Sequence, residues 1–215
     1  MKAYTSNNIR NIAVLGHGGK GKTTLCEAML YIAGASDRLG RVADGNTVLD
    51  FDSEEKRRKS SVSSAIAALE WDNTKLNIID APGLFDFEGG AAEAVRAAEA
   101  VLIVTSAGSG VDVGTEKAFR AAEKKGAAKF FAVTKTDSDH RNFYKTFDAL
   151  KEVYGNKLCP TIIPYMEGNI TKCYVNLMTG MAFSYDENGK ATKVPVPEDS
   201  VIEEMTSAFM EAVAT

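Results

Sequence analysis

Residues 12–24, Ile-Ala-Val-Leu-Gly-His-Gly-Gly-Lys-Gly-Lys-Thr-Thr, constrain this chain more than any other stretch. Ile12 to Leu15 is an apolar run of strand length. Gly16-x-x-x-x-Gly21-Lys22-Thr23 follows, the pattern of a loop that holds a polyphosphate. Beyond it Leu25, Met29, Leu30 and Ile32 recur at helical spacing, and Gly34 is the expected stop. A glycine-rich turn wraps a phosphate because no Cβ blocks its backbone N–H groups. A helix opening near Lys22 points free N–H groups and partial positive charge at the same anion. The spacing therefore predicts that His17, Gly18, Gly19, Lys20, Gly21, Lys22, Thr23 and Thr24 line a nucleotide site. Lys22 is expected to reach the β- and γ-phosphates as a catalytic charge, and the Thr23 hydroxyl to ligate Mg²⁺.

Composition sets the outer limits. At 215 residues, 45% of them hydrophobic, the chain holds one domain, or one plus a small appendage. A net charge of −4 supplies no global basic field, so direct DNA binding is not expected. No apolar run is long enough to cross a bilayer, and Met1-Lys2-Ala3-Tyr4-Thr5 is not a signal peptide. Cys26, Cys159 and Cys173 are scattered, without metal or redox spacing, and fit reduced thiols in a cytoplasmic protein. With only His17 and His140, little room remains for histidine-based acid–base chemistry.

Residues 1–11 read as a polar lead-in. Residues 35–61 lack clean periodicity and include the charged run Glu54 to Lys59; so long a loop is functional or disordered. Val62 to Trp71 and Leu76 to Ile79 read as a hairpin around Asp72-Asn73-Thr74-Lys75. A helix (Glu88 to Ala98), a strand (Ala100 to Thr105), a helix (Thr115 to Lys125, stopped by Gly126) and a strand (Lys129 to Thr134) follow. Residues 141–153 are an amphipathic helix carrying Phe143, Phe147, Leu150 and Val153 on one side. This alternation predicts an α/β fold, a mostly parallel sheet covered on both faces. Ligands of such a sheet sit beyond the C-terminal strand ends, where Gly16, Asp80 and Lys135 fall. After Pro160 the pattern changes to short strands, Thr161 to Met166, Lys172 to Leu177 and Ala182 to Tyr185, with a turn at Asp186-Glu187-Asn188-Gly189 and a helix over about 199–213. The expected division is 1–166 for the nucleotide domain and 167–215 for a β-rich appendage.

Two further motifs bear on the ligand. Asp80-x-x-Gly83 ends a strand; a carboxylate there holds Mg²⁺, and the Gly83 N–H senses the γ-phosphate. Thr134-Lys135-Thr136-Asp137 ends a later strand. The Asp137 carboxylate can accept two hydrogen bonds from guanine, whereas adenine offers no such donor pair. The Lys135 stem packs along a base plane, and Thr134 stands where such motifs more often carry Asn. The ligands read from these motifs are GTP or GDP with Mg²⁺. A P-loop ATPase of metabolic or partitioning type is the other reading, and Thr134 to Asp137 argue against it.

Together these stretches resemble the GTPase domain of translation elongation factor G, and most closely its elongation-factor-G-like paralogues. The resemblance rests on Arg10-Asn11-Ile12, Gly21 to Leu25, Asp44-Gly45, Asn77-Ile78-Ile79-Asp80-Ala81-Pro82-Gly83, Asp86-Phe87, Gly110-Val111 and Thr115-Glu116, and covers nearly the whole chain. It implies a P-loop nucleotide-hydrolase fold, with 167 onward as the start of an insertion that this family carries. It also implies a ribosome-stimulated GTPase, with the ribosome as partner and Lys22 and Gly83 in the catalytic machinery. Residues 35–61 would be the first switch and 80–92 the second. Arg58-Lys59-Ser60-Ser61 falls where the family has Arg-Gly-Ile-Thr, which gives Ser61 the hydroxyl that closes on Mg²⁺ beside Thr23 and Asp80. The departures are specific. Leu84 occupies the place of the family's catalytic histidine, and leucine cannot orient water; this motivates a rival reading, a GTP-binding switch with weak or no hydrolysis. Gly19 replaces an Asp, and Lys20 adds a positive charge. The family's last guanine-contacting loop and strand would lie beyond Thr215, so the chain resembles an N-terminal piece of a longer factor.

Overall fold

The structure, a computed structural model, describes residues 2–136, 142–155, 158–168, 170–186 and 189–214. The chain divides into two compact units, Met1–Thr134 and Lys135–Thr215. The first contains β1 (Ile9–Leu15), α1 (Lys22–Ile32), α2 (Ser53–Arg58), β2 (Ala65–Trp71), β3 (Thr74–Asp80), α3 (Glu88–Ala97), β4 (Ala100–Ser106), α4 (Val113–Lys125) and β5 (Ala128–Thr134). Its strands form a five-stranded sheet in the order β2-β3-β1-β4-β5. All neighbours are parallel except β2, which runs antiparallel to β3. Asp72 and Asn73 turn that hairpin with left-handed φ of 43° and 57°, the handedness that matches strand twist.

The apolar strand runs are explained by burial on both sheet faces. Ala13, Leu15, Ile79, Val101 and Ile103 pack with Val95, Ala118 and Ala122 of α3 and α4. Their neighbours Val14, Ile78 and Val104 face the other way, onto Cys26 and Leu30 of α1. This is the expected three-layer α/β arrangement. The chain winds from β1 to one side through β3, then crosses to the other side at β4. Such a reversal opens a crevice at the C-terminal ends of the central strands, and the crevice lies beside Gly16.

The 35–61 stretch is less irregular than its composition suggests. Asp52 caps α2 by accepting from the Glu54 N–H (2.7 Å), while Glu55 Oε2 accepts from the Asp52 N–H (3.2 Å). A helix of six residues is too short to show an apolar period, so only this reciprocal capping marks it.

The second unit contains α5 (Phe143–Tyr154), β6 (Ile162–Glu167), β7 (Ile170–Asn176), β8 (Met181–Tyr185), β9 (Ala191–Val194) and α6 (Ser200–Ala214). Its four strands form an antiparallel sheet in chain order. Ile163, Cys173, Val175 and Ala182 make its core with Ile202 and Phe209 of α6, and Phe143 of α5 packs against them. β6 and Phe143 of α5 thus belong to this core, within the compact unit Lys135–Thr215. β9 escaped that reading because it is a four-residue edge strand with three exposed residues and no apolar alternation. No helix among the described residues is long and apolar enough to cross a membrane.

Candidate functional site

After β1 the backbone passes through Gly16, Gly19 and Gly21 with positive φ (139°, 74° and 88°), a path open to glycine and strained for most other residues. α1 begins at once, at Lys22, so its first-turn N–H groups belong to the loop. Lys22 is buried, and its Nζ donates to the carbonyls of Gly16 (3.0 Å) and His17 (3.1 Å), which hold the ammonium across the loop. Burial pulls its pKa down, against the attraction of Asp80. Thr24 is exposed on the first turn of α1. The Thr134 hydroxyl braces the loop from β5, donating to the Lys20 carbonyl (2.7 Å) with the Thr105 carbonyl also in reach (3.1 Å). Lys135 is exposed, with φ of 57°. Asp137, the predicted reader of the base, lies outside the described residues.

At the start of α1 a polar cluster joins three segments. Thr23 Oγ1 donates to Asp80 Oδ2 (2.6 Å), and Ser61 Oγ donates to Asp50 Oδ1 (2.8 Å). The two hydroxyl oxygens lie 3.2 Å apart. Asp50 and Asp80 are 3% and 1% exposed. Asp80 Oδ1 has no hydrogen-bond partner among the described residues. Burial pushes the Asp80 carboxyl up to about 6, despite the opposing Thr23 hydrogen bond and the Lys22 charge. Two hydroxyls, two buried carboxylates and an orphaned carboxylate oxygen are the donor set of a hard divalent cation. No cluster of three or more acidic, His or Cys ligands exists among the described residues. Mg²⁺ needs none, since it binds through one or two carboxylates plus phosphate oxygens.

The segment after β3 leans directly on the loop. A Cβ on Gly83 would collide with Lys22 Nζ and lie 2.8 Å from Gly18 N, so no side chain fits there. Leu84 is next, its Cδ2 against Gly18, and it brings no proton acceptor. Phe85 meets His17 edge-on at 5.5 Å and carries Lys117 Nζ 4.5 Å above its ring. Beside this segment an apolar cavity of about 480 Å³ opens between α3 and α4, lined by Gly83, Leu84, Phe85, Ala92 and Ala118 among others. It gives residues 83–85 space to move.

Several buried acids at this site went unread in the sequence. Glu27, fully buried on α1, accepts from the N–H groups of Val48 (2.8 Å) and Leu49 (3.0 Å) and so ties the 35–61 segment to the helix of the phosphate loop. Glu55 sits inside a run that looks like a solvated face, yet it is 1% exposed and also accepts from Val62 and Ser63 N–H groups. The helical phase of Thr23, Glu27 and Leu30, and the Asp52-x-x-Glu55 capping pattern, are the signals that point to them. Asp50 carries no local signal.

Comparison with known proteins agrees with this geometry. Residues 7–214 match the model of the elongation factor Tu GTP-binding domain. An elongation factor G-like protein of Mycobacterium tuberculosis is 34% identical over 206 residues, covering 95% of this chain and 28% of that protein. Elongation factor G of Mycoplasma genitalium is 30% identical over 212 residues, covering 97% and 31%. A crystal structure of a Thermus thermophilus protein superposes with a TM-score of 0.88 at 35% identity, covering 96% of this chain and 31% of that one. The chain therefore spans about three-tenths of the length of these relatives. It belongs to the family of elongation factor Tu GTP-binding domains.

Proposed function

We propose that this chain binds GTP and GDP with Mg²⁺ and hydrolyses GTP as the switch module of a translation factor acting on the ribosome in the cytoplasm. The observation that carries the reading is the convergence of Thr23, Ser61, Asp50 and Asp80, which joins the phosphate loop to both switches. Thr23, Ser61 and Asp80 would hold Mg²⁺, which supplies charge neutralisation to the phosphates. Lys22 would bind phosphate oxygens, the loop N–H groups would orient them, and the Gly83 N–H would report the γ-phosphate. Catalysis here is positioning and charge. The four-stranded sheet β6–β9 with α6 is read as part of the subdomain that this family inserts. Calorimetric titration with GTP and GDP, with and without Mg²⁺, tests the binding claim; ATP competing as well as GTP would sink it. Guanine selection is assigned to Asp137 from its motif. Asp137→Asn is expected to move preference toward xanthine nucleotides, because an amide donates to the extra carbonyl; unchanged guanine preference in competition titrations removes Asp137 from that role.

A second reading is favoured by Leu84: a GTP-binding switch that hydrolyses weakly or not at all. Phosphate release by the native gene product, with and without ribosomes, separates the two. Ribosome-stimulated turnover removes the second reading.

A further inference from the structure

The phosphate loop carries one charge for which the scheme above has no task. Lys20 Nζ lies 3.2 Å from Asp112 Oδ2, with both side chains largely buried (15% and 19% exposed). Asp112 caps α4: its Oδ1 accepts from the Thr115 N–H and the Thr115 hydroxyl, each at 2.9 Å. Its Oδ2 is shut off from solvent and makes no aligned hydrogen bond among the described residues, which leaves the Lys20 ammonium as its counter-charge. Burial pushes the Asp112 carboxyl up, but the Thr115 bonds and Lys20 outweigh it and hold it below the usual carboxylate range. The Lys20 carbonyl is fixed as well, by Thr134. Just past the cap, a Cβ on Gly114 would lie 2.6 Å from His17 Cα and 2.7 Å from His17 N, so the start of α4 abuts the loop backbone.

We propose that the Lys20–Asp112 pair is a clamp that positions the phosphate loop against α4, so that Lys20 acts on bound nucleotide through the loop backbone and not by touching phosphate. The proposal rests on the nucleotide-binding reading. Its physical basis is that the loop turns through left-handed glycines, which leave it soft, while its amides must converge on one anion. A shielded ion pair is screened little by salt, and deleting either partner strands a buried charge. The opposite arrangement, in which Lys20 swings to a phosphate, makes Asp112 a competitor of the nucleotide.

The test is the dissociation rate of a fluorescent N-methylanthraniloyl GDP from the 215-residue chain, beside the melting temperature of the nucleotide-free protein. The variants are Lys20→Met, Asp112→Asn, their double and Lys20→Arg; Asp112→Asn keeps an acceptor for Thr115. Each neutralising single variant is expected to speed release about three- to tenfold, and the double no more than the worse single. The effect should survive salt raised to about 0.5 M, and Lys20→Arg should lie within about twofold of the wild type. Slower release from Asp112→Asn alongside faster release from Lys20→Met overturns the clamp in favour of direct phosphate contact. Unchanged release with a lowered melting temperature overturns it in favour of a purely structural pair. A wild-type protein that binds no GDP analogue removes the nucleotide reading itself, and the clamp with it.

Discussion

Asp80 concentrates the chemistry of the site in one side chain. Its carboxyl is pushed up to about 6 by burial, so folding favours its uncharged form. The stabilisation this gives is complete below the unfolded value near 4 and fades as pH climbs to about 6, by about 3 kcal/mol at most. Ligand-free protein should therefore melt higher at pH 5 than at pH 7 relative to Asp80→Asn, which lacks the titration. Added Mg²⁺ with GDP should reverse the order, because the cation needs the ionised carboxylate. Melting curves at both pH values, with and without MgGDP, check the sign. Leu84 is the other decisive residue. Leu84→His places a proton acceptor beside Gly18 and Gly83; under the proposed GTPase function it should raise GTP turnover at least about tenfold without changing nucleotide affinity. Single-turnover phosphate release measures it. The place of Asp80 at the end of β3 was legible from Asp80-x-x-Gly83; the pairing of Asp50 was not, because its partner Ser61 is brought to it only by the fold of the loop.

At the scale of elements, the 35–61 segment is held by buried acids as well as by Leu49, which packs in the core with Cys26 and Leu30. Glu55 accepts three N–H groups, from Asp52, Val62 and Ser63. Glu55→Ala strands those donors and should lower stability by about 3 kcal/mol. Hydrogen exchange should accelerate at those amides first, with a smaller change in the central strands. The Glu54 to Lys59 run reads as a solvated face, and for Glu54, Lys56, Arg57 and Arg58 that is correct: they are exposed or nearly so, and Glu54 pairs with Arg57 at 2.7 Å. Glu55 differs because a helical turn rotates it inward, a phase that six residues cannot advertise. The α/β elements were read well because their strands are buried on both faces and their helices on one.

For the whole molecule, each sheet carries its own core. Ile103 and Ile163 are both fully buried, in the five-stranded and the four-stranded sheet respectively. Truncation of either to Ala should cost about 2–5 kcal/mol. Amide exchange should show Ile103→Ala weakening the five-stranded sheet and Ile163→Ala the four-stranded one. In the sequence α5 and β6 have ordinary α/β patterning. Only the packing of Phe143 and Ile163 with Val175 and Phe209 shows which core they complete.

The amino-acid order by itself determined the phosphate loop, the hairpin, the doubly covered sheet and the carboxylate ending β3, because each is written in local spacing and short apolar runs. Tertiary structure alone decided that Asp50 turns to Ser61 and that Lys20 turns to Asp112. These are encounters between residues far apart in the chain. No period or motif encodes them, since their energy comes from burial and charge pairing that exist only once the chain has closed on itself.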